Sequence, residues 1–419
     1  MKNKKKLKKS IKSILIIIFL LLIGGVSLYL YDSFHGIRSS LSIKLNGPKV
    51  IKLEAGEEYK EKGAKAYYRG KNISKKIKIT GKVNNKKLGK NYIKYTAKYK
   101  HVSKTIKREV KVIDDSKPSI KLKYDEVLLY VGNEYKETGY EATDNYDGDL
   151  TDKVEVTNNV DINTEGEYEV IYTVKDSSGN KAEVKKKVKV VPKVDNPRVA
   201  VLNYHFFYDP DIGEACNEEI CERVSDFKEQ LDYLKENNFK TLTMQEFRDF
   251  MYGEIEIPEK SVLITIDDGA MGTGKHNGNK LIPILEEYKM HATLFLITGW
   301  WDIENYRSEY LDIESHTNDM HKEGLCGGVT RGAQMLCSSN KQVSEDLQKS
   351  IEITGSTLAF CFPFYAYNSN ALKLVKDAGF DLAFVGGSTK ASRKNNKYLI
   401  PRYPIVKQAT INDFKQYVN

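Results

Sequence analysis

Val262-Leu-Ile-Thr-Ile266 runs directly into Asp267-Asp268-Gly269. An uncharged apolar run of this length reads as a buried strand. Two carboxylates at its end are costly unless a cation or a proton is shared there. Successive strand residues point to opposite faces, so the pair does not form the facing carboxylates of a glycosidase. One can bind a metal while its neighbour reaches a bound water. A helix cap after a strand accounts for one Asp well and the second poorly. Ile313-Glu-Ser-His316-Thr-Asn-Asp-Met-His321 ends another predicted strand. Histidines five apart do not share a helical face, but a turn after a strand can bring both inward. Two imidazoles and one carboxylate make a three-ligand site with one position open for water. A lone histidine is more often polar surface or core; two, matched with a strand-end Asp pair, are harder to dismiss.

These motifs need a scaffold, and the pattern from Arg198 onward supplies one. Apolar runs fall at Val199–Tyr204, Thr241–Met244, Val262–Ile266, Thr293–Ile297, Asp312–Ser315, Leu358–Phe362, Leu382–Val385 and Tyr398–Ile400. Amphipathic stretches at Asp226–Asn237, Leu281–Tyr288, Val343–Ile353 and Asn370–Ala378 lie between several of them. Eight short strands with interposed helices over 198–419 predict an irregular (β/α) barrel, whose chemistry belongs at the C-terminal strand ends. Upstream, Leu53-Glu-Ala-Gly-Glu-Glu-Tyr-Lys-Glu-Lys-Gly63 repeats as Leu129-Tyr-Val-Gly-Asn-Glu-Tyr-Lys-Glu-Thr-Gly139. Alternating runs and polar turns make each copy a small all-β sandwich, at 44–113 and 117–191. Asp144, Asp147 and Asp149 read as a polar turn, with a calcium loop as the alternative. Pro192-Lys-Val-Asp-Asn-Pro197 is the linker to the barrel.

Charge is divided along the chain. From Lys44 to Lys111, Lys and Arg outnumber Asp and Glu by 22 to 5; from Lys117 to Val191 the balance reverses, at 11 to 16. The basic character is thus local. It suits attraction of the first repeat to anionic wall polymers or lipid headgroups and argues against a nucleic-acid-binding protein. A basic tail over 1–12 precedes the uncharged run Ile14–Tyr31. Eighteen residues nearly cross a hydrocarbon core of roughly 30 Å, which predicts a transmembrane signal anchor over 13–31 with the bulk outside, at a Gram-positive-type cell surface. Cys216 with Cys221, and Cys326 with Cys337, are spaced to close loop disulfides, while Cys361 lies in an apolar run as a buried thiol.

Thr265-Ile-Asp-Asp-Gly269 resembles the Thr-Phe-Asp-Asp-Gly motif of the polysaccharide deacetylases, the NodB-type carbohydrate esterases. Ser315-His-Thr-Asn-Asp-Met-His321 resembles their metal motif, with the His spacing of the poly-N-acetylglucosamine branch, and Leu202-Asn-Tyr-His205 is similar to the element that opens the domain there. The two repeats resemble bacterial immunoglobulin-like surface modules. The resemblance implies a metal-dependent N-deacetylase in which Asp268, His316 and His321 hold a divalent metal, zinc most simply, with cobalt, nickel or iron as alternatives. It implies Asp267 as general base and His205 as acid, and it places Phe364, Tyr365 and Arg402 at the oxyanion or substrate. Three features depart from the pattern. Phe360-Cys-Phe-Pro-Phe-Tyr365 lacks the family's Arg; Ile400-Pro-Arg402-Tyr replaces the Leu-x-His motif; and the insertion Gly324–Ser339 has no counterpart. The anchor and surface modules make peptidoglycan the expected substrate, and the His spacing makes a poly-N-acetylglucosamine exopolysaccharide the alternative. The rival of another class is a wall-binding protein with an inactive deacetylase-like domain.

Overall fold

The computed structural model describes residues 2–39, 41–326 and 329–419, with side chains at 10–31, 41–323 and 333–419. Lys2–Ser39 is one helix. Its stretch Ser10–Tyr31, of mean hydropathy 2.7, buries nothing within the protein. At 1.5 Å per residue it is about 33 Å long, enough for a hydrocarbon core. The chain divides into two compact units. One comprises Met1–Leu122, Tyr140–Thr157 and Ile171–Val184; the other comprises Lys123–Gly139, Asn158–Val170 and Lys185–Asn419.

In the first unit, the first repeat is a two-sheet sandwich. Val50–Glu54, Val102–Ile113, Gly89–Tyr99 and Ile77–Thr80 form one sheet, and Leu41–Leu45, Ala64–Tyr68 and Lys71–Asn72 the other. Alternation turns Ile93, Tyr95 and Ala97 inward on one strand, and Arg108, Val110 and Val112 on the next. Arg108 is fully buried, and its guanidinium donates to Glu61 and to the Tyr95 hydroxyl, both at 2.8 Å. One cation of the basic repeat is therefore a structural post and not a contact for outside anions. The second repeat has a matching socket within the second unit, where the Lys186 ammonium donates to Glu137 at 2.7 Å and to Thr138 at 2.8 Å.

The second unit is built on a closed ring of seven parallel strands, consistent with the expected (β/α) barrel. These are β1 (Ala200–Tyr204), β2 (Ser261–Asp268), β3 (Ala292–Leu296), β4 (Leu311–Ser315), β5 (Ala359–Cys361), β6 (Leu382–Gly386) and β7 (Ile400–Pro404). Each pairs with the next, and β7 closes on β1. Leu263, Phe295, Cys361 and Phe384 share the cluster that fills the ring; Ile264 and Ile266 pack on the other side with Leu281 and Leu285. The strands are buried on both faces, which is why they read as continuous apolar runs.

The second of the eight expected strands, Thr241–Met244, is not a ring member. Only Lys240–Thr241 is extended, pairing with the start of β2. The rest of that run enters the helix Met244–Tyr252, because the Thr243 hydroxyl and the Glu246 carboxylate cap each other's backbone N–H. The last strand also sits later than expected, at Ile400–Pro404. Cys216 and Cys221 form a disulfide, and Cys361 is a buried free thiol, as expected. The expected Cys326–Cys337 pair involves Cys326, whose side chain lies outside the described residues.

Candidate active site

Asp267 ends the inward face of β2, below Thr265 and Leu263 in alternation. The next residue breaks the strand: Asp268 has φ +75° and Gly269 φ +84°. A Cβ at Gly269 would stand 2.4 Å from Leu296, so this turn admits only glycine. The reversal lets the two neighbouring carboxylates face different partners at one barrel mouth.

Asp267 is 2 % exposed and held by Arg402. The guanidinium, on β7, donates from Nη1 to Oδ1 and from Nη2 to Oδ2, each at 2.7 Å. Burial alone would raise the Asp267 carboxyl, but the Arg402 charge outweighs it and holds the group far below the usual carboxylate range. Arg402 itself lies between the rings of Phe295 and Tyr365, 5.5 Å from each centroid. Arg402, expected at the substrate or oxyanion, is placed on Asp267. It is fully buried, and its fork is spent on Asp267, on the Thr265 hydroxyl and on the Cys361 sulfur. The Tyr365 hydroxyl donates to Asn203, and its ring packs where a Cβ at Gly386 would intrude.

Asp268 Oδ1 lies 3.5 Å from His316 Nε2 and 3.2 Å from His321 Nε2. It is nevertheless buried without a hydrogen-bond partner among the described residues. Three donor atoms that converge within 4.8 Å without bonding one another fit a divalent cation, and two imidazoles with a carboxylate suit a zinc-type ion. His316 Nδ1–H donates to the Cys361 carbonyl at 2.9 Å, which leaves Nε2 as the inward lone pair. Burial opposes charge on His316, yet its neighbours Cys361, Asp267 and Asp268 carry its pKa well above the ordinary histidine range. A metal would displace that proton. Burial and the charge on His316 push His321 down to about 4.

The turn between the histidines is strained. Thr317 has φ +71°, an uncommon conformation for a β-branched residue. Asp346, from the helix Asn340–Thr354, accepts the N–H groups of Asn318 and Asp319 at 2.8 Å and holds the turn in place. The two rings end 4.6 Å apart.

His205 follows β1 at the same mouth, with Nε2 3.8 Å from Asp267 Oδ2 and a buried, unpartnered Nδ1. Burial lowers its pKa, against the pull of both aspartates. Phe364, at φ +53°, packs its ring 4.4 Å from that of His321. Three groups at the site went unrecognised in the sequence: Arg402 as a clamp, Cys361 with its Sγ 3.6 Å from Asp267 Oδ2, and Asp346 as a brace.

Residues 254–383 match the family described as polysaccharide deacetylase, and 43–112 and 120–190 each match the bacterial surface protein Ig-like domain. A Staphylococcus aureus poly-beta-1,6-N-acetyl-D-glucosamine N-deacetylase is 26% identical over 221 residues, which cover 48% of this chain and 72% of that protein. The Staphylococcus epidermidis protein of the same name is 28% identical over 200 residues, 42% of this chain and 65% of that protein. Among solved structures, a Streptococcus pyogenes deacetylase in complex with acetate aligns at 18% identity and TM-score 0.44, over 54% of this chain and all of that one. A Bacillus cereus polysaccharide deacetylase aligns at 16% identity and TM-score 0.41, over 82% of this chain and all of that one. The chain therefore joins two bacterial surface immunoglobulin-like domains to a polysaccharide deacetylase domain.

Proposed function

We propose that this chain is a metal-dependent enzyme that removes N-acetyl groups from a poly-β-1,6-linked N-acetylglucosamine polymer at the cell surface. The observation that carries the chemistry is the convergence of Asp268, His316 and His321 beside a separately clamped Asp267. The linkage rests on the staphylococcal relatives and on the five-residue His spacing. Peptidoglycan is the second reading, favoured by the apolar helix Ser10–Tyr31 and the two surface modules. Acetate release from the two purified polymers, measured side by side, tests the choice. Faster release from peptidoglycan would overturn it, and release from neither would return the chain to the wall-binding alternative.

Asp268, His316 and His321 would hold the metal. When bound, it supplies a Lewis acid for the acetyl carbonyl and makes water ionisable near neutral pH. Asp267 takes a proton from the attacking water as the new C–O bond forms. Held so acidic by Arg402, it gives that proton up readily. His205, at 3.8 Å, is neutral in the resting site and carries the proton on to the nitrogen as the C–N bond breaks. The products are acetate and an amine. The Phe364 N–H is the proposed donor to the oxyanion. Trp300, 6.0 Å from His321, and Tyr367 are half-exposed aromatic faces at the mouth on which a pyranose can stack.

This relay makes His205 matter only where the leaving group needs a proton. His205→Ala is expected to slow amide hydrolysis by about 10²–10⁴-fold. An activated aryl acetate should keep most of its rate, and metal content should stay unchanged. Equal losses on both substrates would remove His205 from the proton path.

The helix Ser10–Tyr31 would anchor the enzyme in the membrane, and the first repeat's remaining exposed lysines would hold it near anionic wall polymers over roughly 8 Å at physiological salt. Retention on such polymers that does not fall as ionic strength rises would discard the second idea.

A further inference from the structure

The Asp144–Asp149 turn has a partner that the sequence did not suggest. Asp114, just beyond the last strand of the first repeat, meets Asp147 and Asp176 from two loops of the second, with ligand oxygens within 4.8 Å of one another. All three lie in the same compact unit. We propose that Asp114, Asp147 and Asp176 form a divalent-cation site that takes calcium and pins the inter-repeat segment to those loops.

Acidic clusters are common on surfaces, and this one differs in two respects. Asp114 is 6 % exposed, and neither of its carboxylate oxygens has a hydrogen-bond partner of regular geometry among the described residues, the Ser178 hydroxyl being only close enough to lower its pKa. Asp144 adds another buried, unpartnered oxygen, Oδ2. A buried carboxylate without a donor is costly, and a cation removes that cost. The other two ligands are already aimed. Asp147 accepts the N–H and the hydroxyl of Ser177 at 2.6 and 2.7 Å, and Asp176 accepts the N–H and the side-chain amide of Asn180 at 2.8 Å each. The same Asn180 amide donates to the Asp114 carbonyl at 3.1 Å, which ties the segment to the loop. With oxygen donors only, and no imidazole or thiolate, the set selects a hard ion, and its loop-borne ligands suit calcium better than the stricter octahedron of magnesium. Burial and the neighbouring carboxylates push the Asp114 carboxyl upward, so a proton is the alternative occupant.

Calcium chloride titrated calorimetrically into the zinc-loaded full chain in detergent separates the two. The expected result is one calcium per chain, with Kd about 10⁻⁴–10⁻³ M as in other extracellular modules, and slower proteolysis at 113–119 on binding. Asp114→Asn and Asp147→Asn should each remove the calcium, whereas Asp268→Asn should keep it. Asp147 is less buried than Asp114 and gives a folded variant if Asp114→Asn does not fold. Absence of calcium uptake by the unaltered chain, or uptake that survives in Asp147→Asn, overturns the site.

Discussion

His316→Ala is expected to empty the metal site and abolish acetate release. His316 faces Asp268 and His321 with Nε2, while the Cys361 carbonyl fixes its Nδ1–H. Three protein ligands are the minimum for a catalytic site that keeps a position open. The loss should therefore exceed the roughly 10–100-fold that substitution of outer-shell partners costs. Asp268→Ala should behave in the same way. Chelation of the unaltered chain should reproduce the defect, and added zinc should reverse it. Full metal retention in His316→Ala, measured by elemental analysis, would sink the ligand set.

The second large effect belongs to Asp267 and Arg402, which form one device. Asp267→Asn should lose turnover and keep the metal, since its part is proton transfer. Arg402→Ala should do more damage to the fold, because it strands a carboxylate that is 2 % exposed. Breaking such a buried pair costs about 3–5 kcal/mol. Arg402→Lys keeps a charge but loses the two-pronged geometry. Its acid limb of activity should move to higher pH, because the Asp267 carboxyl is no longer held so low. The sign for stability follows from the same depression. The pair stabilises the fold above the unfolded carboxyl pKa of about 3.9, and this is lost as pH falls towards the lower folded value. An unchanged pH profile in Arg402→Lys would show that Asp267 is not the base.

The Asp pair and the two histidines were legible because each closes an apolar run, and a strand has few ways to end in a buried charge. Asp268, His316 and His321 then had to be neighbours if the runs formed a barrel. Arg402 was not legible in this role. It lies 135 residues from Asp267 and meets it only through closure of β7 on β1. Sequence order carries no sign of that pairing, so the arginine read as a substrate contact. The strand expected at Thr241–Met244 failed for a different reason. Thr243 and Glu246 stand at the spacing of a capping box, a local signal that outranks a short apolar run and would have marked the helix. Asp114 was missed because its partners lie in loops of the other repeat, and no local pattern marks a lone Asp after a strand.

Closure of the ring by β7 also has a kinetic consequence. Asp267 and its counter-charge stand 135 residues apart in sequence, so the contact that neutralises the site is strongly non-local. Contacts of that kind form late and slow the approach to the native state. Until β7 docks, the first and sixth strands each expose an unpaired edge, and the Asp267 carboxylate on β2 lacks its counter-charge. Substitutions at Arg402 should therefore act on the rate of folding as well as on its endpoint, and refolding yields should fall before the native state itself loses cooperativity.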